Sequence, residues 1–204
     1  MILYRPVGLH ELRLIYESGL TAFPPRLPEQ PIFYPVLNIE YARQIAFDWN
    51  TKSEPFAGYV TEFGIDDEYV SQFERQIVGG RQHEELWIPA EKLDEFNRHI
   101  IGKIKVVDAK FGKEFQGFVP QNFGLKDKNA LLQFVLLANS YNYSRMDFYL
   151  EIKANHTAVF LNHPFWLKYD FKDNGIDEDM KKEKLEAIKE VWSQSFPEIP
   201  LMAS

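Results

Sequence analysis

The stretch MILYRPVGLHELRLIYESGL (residues 1–20) predicts the first strand and the first helix of the fold. The apolar run from Ile2 to Tyr4 is typical of a strand. Apolar side chains then recur at the spacing of one helix face between Leu9 and Ser18, and Gly19 stands where helices commonly end in the left-handed conformation. This strand and helix are the first of an alternating series.

Short strands and helices continue outward from this stretch to a break at FGKEFQGF (residues 111–118). The predicted elements are strands at Ile32 to Leu37, Phe56 to Ile65, Leu86 to Ile88 and Ile100 to Val107, and helices at Ile39 to Trp49, at Asp67 to Phe73 and from Pro89 onward. Trp49 is expected to face inward with the apolar residues of its helix. Two glycines and mixed polarity at the break predict a domain over residues 1–112 and a second over residues 113–204.

The second half is predicted to be a small α-β-β-β-α unit. Its helices are expected at Asn129 to Asn139 and at Asp179 to Gln194, where apolar residues recur at helical spacing. Between them, Met146 to Ile152, Thr157 to Leu161 and Phe165 to Phe171 are interpreted as the strands of a meander. The expected fold class of the whole chain is therefore α+β.

Composition excludes several functional classes. The 204 residues include no cysteine, which excludes disulfides, thiolate nucleophiles and Cys-ligated zinc and favours a cytoplasmic location. The net charge of -7, without a basic block, disfavours nucleic-acid binding. No stretch approaches the ~18 apolar residues of a membrane span, and the N-terminus lacks the pattern of a signal peptide.

Three side chains of the first half are candidates for chemistry. Arg5 can donate two hydrogen bonds to a phosphate, or form a salt bridge at a strand end. Tyr34, next to Phe33, can stack on a flat heterocycle, or belong to the core. Glu85, in VGGRQHEELWIPAE, can stabilise an oxocarbenium ion and bind a sugar hydroxyl, or be an exposed residue at a strand end.

Three segments together resemble the ADP-ribosyltransferase superfamily over Met1 to Asp108. LYRPVGLHELRLIYESGL (residues 3–20) is similar to the strand, helix and glycine that open the arginine-type bacterial toxins. IFYPVLNIEYARQIAFDW (residues 32–49) looks like the unit lining the nicotinamide pocket, and EELWIPAEKLDEFNRHIIGKIKVV (residues 84–107) resembles the strand of the catalytic glutamate. The resemblance implies a split mixed sheet with short helices for the first domain.

The resemblance also implies roles for individual residues, with NAD as the substrate and no metal. Arg5 would anchor the diphosphate or ribose, Tyr34 would orient the nicotinamide, and Glu85 would stabilise the oxocarbenium ion. The loop from Gly79 to Glu84 would meet the acceptor. The further candidates are His83 for assistance in catalysis, and Tyr4, Phe33 and Arg26 for binding NAD.

The function that the resemblance implies is an NAD-dependent mono-ADP-ribosyltransferase, a glycosyltransferase that cleaves the nicotinamide glycosidic bond. Members that modify arginine carry Glu-X-Glu, whereas Glu84 and Glu85 are adjacent and point to opposite strand faces, so an arginine acceptor is not expected. The alternative is a catalytically inactive binding or immunity module of the same fold. In either case the C-terminal unit, which is rich in aromatic residues, is a candidate surface for a protein acceptor or partner.

Overall fold

The computed structural model describes residues 1–80 and 83–203. The chain divides into two compact units, Met1–Lys113 and Glu114–Ser204. Helices and antiparallel strands are both present, so the α+β class is confirmed. Within the described ranges, no helix combines the length and the apolar character needed to cross a membrane.

Strands and short helices alternate in the first unit. Its strands are β1 (Ile2–Val7), β2 (Ile32–Phe33), β3 (Ala57–Ile65), β4 (Arg75–Ile77), β5 (Glu84–Leu86), β6 (Ile88–Pro89) and β7 (Ile100–Phe111). Its α-helices are α1 (Leu9–Glu17), α2 (Ile39–Ile45), α3 (Asp67–Val70) and α4 (Leu93–Arg98), with a π-helical turn at Ala46–Asn50 and a 3₁₀ turn at Ala90–Lys92.

β3 lies between β1 and β7, while β2 pairs with β6 and β4 with β5. Every pairing among the described strands is antiparallel, so the predicted mixed sheet is wrong. In a parallel pair, the connection must carry the chain back to the end of the sheet where the first strand began. Here the chain enters β3 at the end where β1 finished, and it enters β7 at the end where β3 finished, so both pairs are antiparallel.

A single residue, Val36, links β1 to the strand that carries Glu85. Val36 forms one antiparallel bridge with Tyr4 and another with Glu85. The Val36 N–H donates to the Tyr4 carbonyl at 2.8 Å, and the Tyr4 N–H donates back at 2.9 Å. Residues far apart in sequence are thereby brought to neighbouring positions.

The elements read from the opening stretch are confirmed. Leu9, Leu12, Ile15 and Tyr16 of α1 are buried, and Gly19 has a φ of 72° just beyond the helix end. That left-handed conformation is open to glycine without steric cost, which explains why the helix ends here.

The turn that follows α2 packs against β3 at closest range. A Cβ placed on Gly58 would overlap the carbonyl oxygen of Ala46, so only glycine permits this approach. Ala42 and Ala46 are buried there as predicted, but Trp49 is 64% exposed, and the expectation that it faces inward is wrong. Trp49 lies in the π turn, where the 3.6-residue period from which its inward position was predicted no longer applies.

The second unit is helical throughout its regular elements. They are α5 (Ala130–Tyr143), α6 (Arg145–Ala154), α7 (His156–Lys168), a 3₁₀ turn at Lys172–Asn174, and α8 (Glu178–Ser195). The two predicted terminal helices are confirmed as α5 and α8. The three predicted strands are wrong. Met146 to Ile152 lies in α6, and Thr157 to Leu161 lies in α7. The third predicted strand, Phe165 to Phe171, begins inside α7 and continues into the segment after it.

Burial on all sides explains this error. Residues 158–166 of α7 are buried without interruption, so the segment lacks the periodicity by which a helix is distinguished from a buried strand. Pro164 also lies inside α7, although a proline removes a backbone donor and is unfavourable in a helix interior. The helix start of α6 had a usable signal, since the Ser144 hydroxyl caps it by accepting from the Asp147 N–H at 3.2 Å.

A buried histidine makes the second unit sensitive to acid. Burial, followed by the charge of Lys189, lowers the pKa of His163 to about 4, against about 6.5 in an unfolded chain. The contribution of neutral His163 to the unfolding free energy is complete above pH 6.5, and it is lost as the pH falls towards 4. Between pH 7 and pH 4 we expect the wild type to lose roughly 3 kcal/mol more unfolding free energy than His163→Phe. Urea unfolding at both pH values measures this difference, and parallel pH profiles would contradict it.

Candidate functional site

The first unit contains a cavity of about 790 Å³. This volume lies within the range of about 300–1,000 Å³ that is usual for small-molecule sites. Arg5, Arg26, Tyr34 and Glu85 all line it, so these sequence candidates share one cavity. Tyr4, Phe33 and His83, which were also candidates, lie outside that lining.

Glu85 is held in one orientation by two donors. Its side chain is 9% exposed. The Tyr41 hydroxyl donates to Oε1 at 2.8 Å, and the Trp87 Nε1–H donates to Oε2 at 3.1 Å. Burial, together with the hydrogen bond to Glu85 and its charge, raises the pKa of Tyr41 to about 12, so the hydroxyl stays protonated and remains a donor near neutral pH. The carboxylate is therefore fixed against the cavity wall before any ligand arrives.

His83 supports this arrangement from behind. Its ring stacks on Tyr41 with the centroids 4.3 Å apart and the planes within 16°. Its Nδ1 lies 3.1 Å from the Val78 carbonyl oxygen, which ties the ring to the hairpin between β4 and β5. Arg81 and Gln82, in the loop predicted to meet the acceptor, lie outside the described residues.

Arg5 reaches the cavity from β1 and is 8% exposed. Its Nε donates to Glu11 Oε1 at 3.1 Å, and its Nη1 donates to the Tyr34 carbonyl at 3.1 Å. The guanidinium carbon lies 4.7 Å from the centroid of the Phe33 ring. Phe33 is thus a fully buried support beneath Arg5, and the charged group is presented to the cavity in a fixed plane.

Arg26 adds a second guanidinium to the same cavity. Its Nε is buried and has no hydrogen-bond partner among the described residues. Burial and the nearby charge of Arg5 lower the pKa of Arg26, while Glu11 and Tyr34 act in the opposite direction. A buried donor without an acceptor is costly, and two neighbouring cations repel one another. An anion bound between the guanidinium groups would relieve both costs.

An aromatic wall stands beside the carboxylate. The Tyr34 and Trp87 rings meet edge to face, with centroids 5.8 Å apart and planes at 82°. Because the indole of Trp87 also binds Glu85, this wall and the carboxylate are parts of one arrangement. A flat ring bound here would meet an aromatic surface and a negative charge together.

Sequence reasoning missed Tyr41, Trp87, Glu11 and Trp49 as residues of the site. A signal existed for Trp87, since it is two residues beyond Glu85 and so lies on the same face of an extended segment. Within the described ranges, no three His, Asp or Glu side chains gather as ligands for a metal ion.

Comparisons with protein-family models, curated proteins and solved structures find no match to this chain. The function is therefore inferred from the geometry of the cavity.

Proposed function

We propose that the first unit binds NAD in this cavity and acts as an ADP-ribosyltransferase, cleaving the nicotinamide glycosidic bond and transferring ADP-ribose to an acceptor. The observation that carries the proposal is the pairing of a fixed, nearly buried carboxylate with two guanidinium groups in one cavity. The carboxylate suits the reacting ribose, and the guanidinium groups suit the diphosphate. NAD carries a reacting ribose and a diphosphate within one molecule.

Glu85 supplies the electrostatic part of the reaction. The bond between ribose C1′ and the nicotinamide nitrogen breaks, and its electron pair leaves with neutral nicotinamide. The positive charge that develops on the ribose is stabilised by the Glu85 carboxylate. Tyr41 and Trp87 hold that carboxylate in place, so no reorganisation is needed in the transition state. A nucleophile of the acceptor then bonds to C1′ and loses its proton.

The guanidinium groups fit the diphosphate. Arg5 is oriented by Glu11 and the Tyr34 carbonyl, and its other N–H groups have no protein acceptor among the described residues. Arg26 contributes an Nε donor that lacks a partner. Charge-assisted hydrogen bonds from arginine to phosphate are short and geometrically specific. The ligand would thereby satisfy donors that the protein leaves unpaired.

The aromatic wall fits the nicotinamide ring. Tyr34 and Trp87 lie beside Glu85, so a ring placed on them would hold its ribose next to the carboxylate. Aromatic contact is favourable for a flat heterocycle, and the adjacent negative charge is favourable for the pyridinium cation.

One observation favours the inactive module as a second candidate. Both oxygens of Glu85 already accept hydrogen bonds from the protein, and Arg5 is already paired with Glu11. A site with its charges satisfied internally can serve as a scaffold that binds NAD, or a protein partner, without turnover.

Calorimetric titration with NAD and chromatographic detection of nicotinamide separate these candidates. We expect the full-length protein to bind NAD and to release nicotinamide, with water as acceptor when no other is supplied. NAD binding without release would establish the inactive module. If the protein does not bind saturating NAD, both the transferase and an inactive module that binds NAD are rejected.

A further inference from the structure

Trp49 is a large aromatic side chain that the fold leaves at the wall of the cavity. It is 64% exposed and lines the same cavity as Glu85. It belongs to the π turn Ala46–Asn50, and π turns are frequent at functional sites. An exposed tryptophan beside a cavity presents a flat apolar face on which a ligand ring can stack.

Trp49 lies further along the helical segment that carries Tyr41. Tyr41, Ile45 and Trp49 line the cavity along one helical segment. At about 1.5 Å of rise per residue, Trp49 lies on the order of 10 Å along the helix from Tyr41, the residue that holds Glu85. A ligand with its reacting ribose at Glu85 therefore has room to place a second nucleoside near Trp49.

The neighbours of Trp49 carry groups that suit adenosine. Asn50, Ser53 and Glu54 line the cavity next to it. An asparagine amide matches the donor and acceptor on the edge of adenine, and a carboxylate accepts hydrogen bonds from ribose hydroxyls.

The turn that carries Trp49 is held firmly. Ala46 packs against Gly58 at closest range, the Thr51 hydroxyl donates to the Phe47 carbonyl at 2.6 Å, and the Lys52 N–H donates to the Trp49 carbonyl at 3.1 Å. Since the backbone is fixed on both sides of the indole, little ordering is needed when a ring stacks on it.

We propose that Trp49 is the platform on which the adenine ring of the bound dinucleotide stacks, with Asn50, Ser53 and Glu54 around the adenosine. This inference rests on the proposed function for the identity of the ligand. It adds a specific adenosine subsite, separate from the residues that act on the nicotinamide ribose.

Titrations with AMP, nicotinamide mononucleotide and NAD test the subsite on the full-length chain. We expect Trp49→Ala to weaken AMP and NAD binding about 10-fold or more, and Trp49→Phe to retain most of the affinity. Nicotinamide mononucleotide, which lacks adenine, should bind both variants within 2-fold of wild type. Tyr143→Ala is the matched control, because Tyr143 is a 92% exposed aromatic of the second unit.

The outcomes distinguish the subsite from the enzyme. If Trp49→Ala binds AMP and NAD as the wild type does, while the wild type releases nicotinamide, the subsite is refuted and the proposed function stands. If AMP binding depends on Trp49 but nicotinamide is never released, the subsite stands and the transferase proposal fails. If neither AMP nor NAD binds the wild type, both proposals fall.

Discussion

Glu85→Gln is expected to slow nicotinamide release by roughly 1,000-fold while NAD binding stays within a few-fold of wild type. The amide matches the carboxylate in shape but carries no charge to oppose that of the oxocarbenium ion. It also keeps one acceptor oxygen in place of two, so either Tyr41 or Trp87 loses its acceptor. That loss should cost about 1–2 kcal/mol of unfolding free energy, which urea unfolding will register without loss of the fold. The rate is measured as nicotinamide released under saturating NAD.

Glu84→Gln is the matched control for this variant. It makes the same charge change one residue away, on the opposite face of β5, and Glu84 does not belong to the described lining of the cavity. With water as the acceptor, its rate should stay within about 2-fold of wild type, since Glu84 is not among the residues that line the cavity. Equal losses in the two variants would mean that the carboxylate of Glu85 has no specific role.

Gly58→Ala is expected to destabilise the protein by about 3 kcal/mol and to disturb the site as well. The added Cβ would overlap the Ala46 carbonyl oxygen, which is backbone and cannot rotate away as a flexible side chain would. The turn after α2 must then move off β3, and the same segment carries Tyr41 and Trp49. We therefore expect weaker NAD binding together with the lower unfolding free energy, measured by calorimetric titration and urea unfolding.

Gly80→Ala provides the comparison for the backbone effect. A Cβ at Gly80 would have its nearest neighbour at 3.8 Å, an ordinary contact with the His83 ring. We expect the unfolding free energy of this variant to fall by less than about 1 kcal/mol, within the usual range for a surface substitution. If Gly58→Ala were as stable as the wild type, the close contact between the turn and β3 would not contribute to the stability of the fold.

The first half was more predictable than the second because its signals are local. The spacing in α1, the glycine that ends it and the strand-forming segments of β3 and β7 are each visible within about a dozen residues. In α7 the same reasoning failed, since a helix buried on every side has no polar face to reveal its period.

Only the residues of the site whose side-chain chemistry is distinctive could be predicted from the sequence. Arg5, Tyr34 and Glu85 stood out by residue type and context, Arg26 was a candidate through the family resemblance, and the structure brings all four to one cavity. The partners that fix them did not stand out. Tyr41 meets Glu85 across 44 positions of sequence, and no local pattern records that contact.

Residue types and short-range periodicity were thus sufficient to predict an α+β chain, the strand and helix that open it, and the charged side chains that are candidates for the site. Tertiary structure alone decided that the strand pairs are antiparallel, that the second unit is helical, and that Trp49 lies at the cavity wall. These outcomes depend on contacts between distant segments, such as Val36 with Glu85 and Ala46 with Gly58. Such contacts are selected by the packing of the whole unit, which overrides local preference wherever the two disagree.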